Sequence, residues 1–115
     1  MEIRRLQPGK RMSQGVVHSG TVYLAGQVAE DTAQDVAGQT RQVLAGIDKL
    51  LAEAGTDKTR LLTATIVLAD MGTFAAMNSV WDAWVSPGNT PARATIEAKL
   101  AAPQYRVEII VTAAL

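Results

Sequence analysis

An arginine guanidinium is a planar, permanently charged fork that grips a carboxylate with two parallel hydrogen bonds, and a carboxylate can take a proton from water. The last third of this chain carries one of each on segments that could hold them still. Arg93 lies in Thr90-Pro91-Ala92-Arg93-Ala94-Thr95-Ile96-Glu97-Ala98-Lys99-Leu100, and Glu108 lies in Val107-Glu108-Ile109-Ile110-Val111. Both segments read with a period of two, which predicts strands. In the first, Ala92, Ala94, Ile96, Ala98 and Leu100 share a face, and Arg93, Thr95, Glu97 and Lys99 share the other. In the second, Val107, Ile109, Val111 and Ala113 alternate with Arg106, Glu108, Ile110 and Thr112. Successive side chains point to opposite sides, so Arg93 and Glu108 are expected on one mixed face of one sheet. Such a pair can be a salt-bridge ladder, with Glu97, Glu108 or Asp82 as the arginine's partner, or a site holding a small anion beside a base.

The elements that must carry these residues follow from the chain in order. Met1 to Leu6 predicts a short first strand, and Gln7-Pro8-Gly9-Lys10 a turn. Gly15–His18 and Thr21–Gly26 read as a hairpin closed by Ser19-Gly20. Gly26 marks either a bulge or a place where the backbone comes close to something else. A helix is expected from about Asp35 to Ala54, with Val36, Val43, Leu44, Ile47, Leu50 and Leu51 at helical spacing, Asp35 as N-cap and Gly55 as C-cap. Leu61 to Leu68 is the next strand. Its Leu62, Ala64, Ile66 and Leu68 are expected in the core, and Thr63, Thr65 and Val67 on a second face poorly suited to open water. A second helix begins near Thr73, with Phe74, Met77, Trp81, Trp84 and Val85 on one stripe and Asn78 beside it. The order β-β-β-α-β-α-β-β predicts an α+β domain over residues 1–115, a mixed sheet with two helices packed on one face. The other face needs cover, so a homo-oligomer is expected.

Composition removes several classes. The 115 residues hold 11 basic and 11 acidic side chains, two Trp, two Tyr and one Phe, so no nucleic-acid partner is expected. There is no cysteine, hence no disulfide, thiolate metal site or Cys nucleophile, and a cytoplasmic location is expected. The one histidine, His18, cannot by itself make a zinc site. No signal peptide is read at the N-terminus, and no run approaches the ~20 apolar residues of a membrane span.

Five short segments in order carry a family resemblance: Met12-Ser13-Gln14-Gly15, Ala25-Gly26-Gln27, Phe74-Ala75-Ala76-Met77-Asn78, Thr90-Pro91-Ala92-Arg93 and Val107-Glu108-Ile109. Over nearly its whole length the chain resembles the Rid (reactive intermediate deaminase) family, also known as YjgF/YER057c/UK114 and once called endoribonuclease L-PSP. The resemblance implies a chorismate-mutase-like fold and a homotrimer with clefts between subunits. It implies hydrolysis of reactive enamines and imines, such as 2-aminoacrylate, to 2-keto acids and ammonia, without metal or organic cofactor. The family's carboxylate-binding arginine falls on Arg93, its water-positioning glutamate on Glu108, its cleft asparagine on Asn78 and its ligand-approaching glycine on Gly26. The chain departs from the family in three places: Met12 replaces a common Tyr, Ala25 a Ser, and Thr95 a frequent Cys. The first two changes remove hydroxyls thought to orient ligand or water. Retention of Arg93 counts the other way, because subgroups not credited with imine hydrolysis lack it.

One geometric difficulty is visible in advance. In a simple hairpin of the last two strands, Arg93 faces Thr112 and Glu108 faces Glu97, about 13 Å apart along the sheet. A register shift, a bulge or a neighbouring subunit is then required to unite them. Three other readings stay open. One is a binding module that captures a 2-keto acid or similar anion without catalysis. Another is a deaminase acting on a larger substrate in a dedicated pathway. The ribonuclease of the older name is disfavoured by zero net charge and a single histidine.

Overall fold

The structure is a computed structural model that describes residues 1–115. Six strands and two helices follow the expected order: β1 (Arg4–Leu6), β2 (Gly15–His18), β3 (Thr21–Leu24), α1 (Val36–Ala54), β4 (Leu61–Leu68), α2 (Phe74–Trp84), β5 (Ala92–Glu97) and β6 (Val107–Ala114). Short 3₁₀ turns at Lys58–Arg60 and Met71–Thr73 precede β4 and α2. The strands form one mixed sheet in the order β1-β2-β3-β6-β4-β5.

Local chemistry explains the outline. Ser19 and Gly20 both take positive φ, 51° and 79°, which matches the twist of the flanking strands and closes β2 onto β3. The Asp35 carboxylate accepts from the Gly38 N–H and starts α1, and Gly55 ends it at φ 95°, where a Cβ would be strained. The predicted apolar stripe of α1 is buried in full. It packs on the sheet face formed by Val17, Val22, Leu24, Ala64, Ile66, Leu68, Val107, Ile109 and Val111. Met77, Val80 and Trp81 of α2 close the same core. No helix is long and apolar enough to cross a membrane.

Three expectations change. The two C-terminal strands are not hairpin partners. β5 pairs parallel to β4, and β6 pairs antiparallel to β4 on its other side. A crossover through α2 returns the chain to the same end of the sheet, which forces the parallel pairing and leaves β5 at the edge. A bulge between Leu61 and Thr63 turns Leu62 outward, 45% exposed, and buries Leu61 instead. Thr73 makes no side-chain cap bond; Asp70 caps the preceding turn by accepting from the Gly72 N–H at 2.8 Å.

The sheet face away from the helices carries Val16, Tyr23, Thr63, Thr65, Val67, Ile96, Ile110 and Thr112. Tyr23 and Ile96 are 48% exposed and Ile110 is 37% exposed. In the single chain these apolar side chains stand at the surface on the face that the helices leave open.

Candidate functional site

Arg93 is level with Ala64 of β4 and Val111 of β6, both core residues, so its side chain leaves the sheet on the helix side. There Arg93 Nη1 donates to Asn78 Oδ1 of α2 at 2.7 Å. The guanidinium carbon lies 5.3 Å from the Trp81 ring centroid and 5.9 Å from that of Phe74. Both distances are within the reach of cation–π attraction. No carboxylate accepts from Arg93. Glu97, one of its proposed partners, instead accepts from the Met71 N–H at 2.8 Å. Arg93 is thus held by an amide and two aromatic rings, with most of its donors free. Thr95 shares this face of β5, and its Oγ1 is buried without any hydrogen-bond partner. Buried hydroxyls in native proteins are nearly always satisfied, so this one stands out. Spacing puts Trp81 on the helix stripe, as core, interface or the wall of a ligand site, and the fold brings its ring to the Arg93 guanidinium.

Glu108 is built into different surroundings. It alternates with the buried Val107 and Ile109, so it leaves β6 on the face away from the helices. Beside it runs the extension of β3, joined by the paired bonds Gln27 N–H to Ile109 O (2.9 Å) and Ile109 N–H to Gln27 O (3.1 Å). Gly26 lies against the carboxylate: a Cβ there would stand 2.5 Å from Glu108 Oε2 and 2.8 Å from its Cδ. Of the two readings of Gly26, bulge or close approach, this contact is a close approach, and the group that approaches is the Glu108 side chain. The neighbouring loop is tied in by side chains. Gln27 Nε2 donates to Gln14 Oε1 at 3.1 Å and to Ala25 O at 2.9 Å, and the Ala25 N–H donates to Gln14 O at 2.9 Å. Met12 is in that loop, 49% exposed, its carbonyl accepting from the Gly9 N–H at 2.8 Å.

The five segments therefore sort into two groups. Phe74–Asn78 and Thr90–Arg93 meet around the guanidinium. Met12–Gly15 is tied through Gln14 to Ala25–Gln27, whose Gly26 lies against Glu108 of Val107–Ile109. The expectation that Arg93 and Glu108 share a face fails, because the intervening β4 shifts their relation. Glu108 is level with Val67 and Ile96, three residues from the rung of Arg93 and two strands across. That amounts to roughly 10 Å along the strands and roughly 10 Å across them, with the sheet between the two side chains. The only irregularity in the β4–β6 register is at Leu61/Thr63, far from Glu108, so neither a bulge nor a slip unites the pair within one chain. The cavities of the single chain are lined by neither residue. Within one chain the two groups stay apart, on opposite faces of the sheet.

His18 stands at the hairpin turn, 3.5 Å from Ser19 Oγ, remote from both groups in the fold. No three His, Asp or Glu side chains are gathered as metal ligands.

The sequence profile described as endoribonuclease L-PSP matches residues 2–115. A RutC family protein of Haemophilus ducreyi is 49% identical over 113 residues, covering 98% of this chain and 97% of that protein. A 2-iminobutanoate/2-iminopropanoate deaminase of Rattus norvegicus is 31% identical over 103 residues, 84% of this chain and 74% of that protein. The crystal structure of NMB1025, a YjgF family member from Neisseria meningitidis, superposes with a TM-score of 0.97 at 51% identity, covering 99% of this chain and 95% of that one. A match from end to end, at these identities and with this topology, means that the chain belongs to the endoribonuclease L-PSP family, known also as YjgF/YER057c/UK114 or Rid.

Proposed function

We propose that this protein hydrolyses small 2-imino acids to 2-keto acids and ammonia at clefts between copies in a homotrimer. The observation that carries the reading is the separation of the site into two incomplete halves. Arg93, Asn78 and Thr95 form a carboxylate-binding half at one sheet edge. Glu108, Gly26, Ala25 and Met12 form a water-handling half on the open face. A single chain cannot offer both to a ligand of three or four carbons. A facing copy can, and the apolar open face supplies the surface for it. The deaminase activity named for the rat relative supports the reaction class.

In this reading the substrate carboxylate takes the free edge of the Arg93 guanidinium, whose orientation is set by Asn78 and the two rings. Glu108 accepts a proton from a water molecule as its oxygen adds to the C=N carbon. Glu108 returns that proton to the nitrogen of the carbinolamine, the hydroxyl proton passes back to the carboxylate as the C–N bond breaks and the C=O bond forms, and ammonia leaves the 2-keto acid. Acid–base help of this kind is worth ~10²–10⁴ in rate. Imines already hydrolyse in water, so two charged groups suffice. An enamine substrate first tautomerises to the imine.

A second reading has one observation in its favour. Neither Met12 nor Ala25 can donate a side-chain hydrogen bond near Glu108, so water orientation rests on fewer groups. The protein would then hold 2-keto acids without accelerating imine loss. Generating a panel of 2-imino acids with an amino-acid oxidase, in competition with a carbonyl- and imine-trapping reagent, separates the two. Faster keto-acid release with wild type and not with Arg93→Ala supports the deaminase. Keto-acid binding without acceleration supports the binding module. Equal acceleration by both proteins makes Arg93 structural and overturns the site. Strongly salt-dependent RNA binding would revive the ribonuclease.

A further inference from the structure

A cavity of about 500 Å³ lies in the groove between α1 and α2, on the surface of the helix layer turned away from the sheet. None of its lining residues belongs to the Arg93 or Glu108 groups, although the Trp84 ring lies 5.4 Å, centroid to centroid, from that of Trp81. Ala45 of α1 and Ser79 and Ala83 of α2, all small and exposed, line it beside the buried Leu44 and Val80, so little side chain fills the space between the helices. Trp84 forms one wall, and its orientation is set from two directions. Its Nε1–H donates to Asp48 Oδ2 at 3.0 Å, and the Lys58 ammonium stands 5.1 Å from its ring centroid. Arg41 completes the lining. Neither Arg41 nor Lys58 is paired with a carboxylate, and the one carboxylate present, Asp48, is engaged by the indole. The groove therefore combines an apolar floor, a fixed aromatic wall and an excess of one positive charge.

We infer that this groove is a second binding site, for a small aromatic carboxylate whose ring lies between Trp84 and the alanines and whose anion is held by Arg41 and Lys58. Its volume is in the range of small-molecule sites, ~300–1,000 Å³, and a few placed polar groups on an apolar lining is the usual composition of such sites. A cationic ligand is disfavoured by the net positive charge of Arg41 and Lys58 against Asp48. A neutral one leaves them unused.

The two tryptophans permit a direct test, because Trp84 lines the groove and Trp81 touches Arg93. The indole N–H resonances are followed by ¹H–¹⁵N NMR while phenylacetate, or its uncharged analogue phenylacetamide, is added to the full-length Arg93→Ala protein. That substitution removes the other carboxylate-binding group. The expected result is a saturable shift of the Trp84 N–H with phenylacetate. Affinity falls about tenfold for the amide, and about tenfold for phenylacetate when Arg41→Gln or Lys58→Gln is added, the size of one charge-assisted hydrogen bond. No saturable shift up to tens of millimolar, equal affinity for acid and amide, or a shift confined to Trp81 would overturn the inference. The readout involves no imine, so a failed deaminase assay leaves this site standing, and a silent Trp84 leaves the Arg93 reading standing.

Discussion

Charge and shape at single positions decide what the half-sites can do. Arg93 keeps its donors free because Asn78 and two rings, rather than a carboxylate, hold it. Lysine would keep the charge but lose the planar fork. Arg93→Lys is therefore expected to weaken 2-keto acid binding about tenfold and Arg93→Ala about a hundredfold, measured by calorimetry. Equal binding by all three proteins would remove Arg93 from the site. Gly26 poses a different question, because its backbone is not in the left-handed region and alanine is permitted there. The obstacle is the Glu108 carboxylate, 2.5 Å from where the Cβ would stand. Gly26→Ala should leave thermal stability within about 1 kcal/mol of wild type while lowering the proposed imine hydrolysis at least about tenfold, because on that proposal the displaced carboxylate no longer meets the water. Unchanged kcat in a correctly folded variant would separate Gly26 from the chemistry.

Among the elements, α1 is the most completely specified. Its caps, Asp35 and Gly55, satisfy backbone groups that the helix itself cannot. Asp35→Ala and Gly55→Ala are each expected to cost about 1 kcal/mol in denaturant unfolding. A larger cost falls on Gln39, which is fully buried in α1. Its Nε2 lies 3.1–3.3 Å from the carbonyls of Thr32, Gln34 and Gln104, and its Oε1 accepts from the Arg106 N–H at 2.9 Å. One side chain thus fastens the loop before α1 and the entry to β6, two residues from Glu108. Gln39→Leu strands the Arg106 N–H in the interior, and about 2–4 kcal/mol of stability should be lost. The turn before β4 carries a displaced titration. The Asp57 carboxyl is held below its ordinary value by the Thr59 hydroxyl, then by the Thr59 N–H, then by the charge of Arg60. A carboxyl lowered on folding favours the folded state at pH above its unfolded value, near 3.8. That contribution fades as pH falls through the lowered folded value. Asp57→Asn should flatten the acid limb of the stability curve slightly, and an unchanged limb would show the turn to be uncoupled from folding.

At the scale of the whole molecule, one sheet face is closed by two helices and the other is left with Tyr23, Ile96 and Ile110 at the surface. A face of Thr, Val and Ile gains from burial against a copy of itself, at roughly 25 cal/mol per Å² of apolar area. Ile110→Glu places a charge beside Glu108 and Thr112 on that face. It is expected to convert the proposed homotrimer to folded monomers by light scattering, with the circular dichroism of the wild type and without the proposed imine hydrolysis. A monomer with full activity would contradict a site shared between copies. A trimer that persists would move the interface elsewhere.

What could be read from the chain alone was whatever depends on local pattern. The period of α1, its two caps, the Ser19-Gly20 turn, the strand alternation around Arg93 and Glu108, and the five family segments are all properties of neighbours in sequence. The pairing of distant strands is not such a property. Two alternating segments near the C-terminus look like a hairpin, and only the crossover through α2 shows that β4 comes between them. That insertion decides that Arg93 and Glu108 point to opposite faces. The role of Trp81 and the contact of Gly26 with Glu108 were hidden for the same reason, since spacing says which side of its own element a residue faces and not what stands opposite. Sequence by itself determined the elements and the candidate chemistry. The tertiary structure divided that chemistry into two halves, because side chains from separate elements meet only once the sheet order is set.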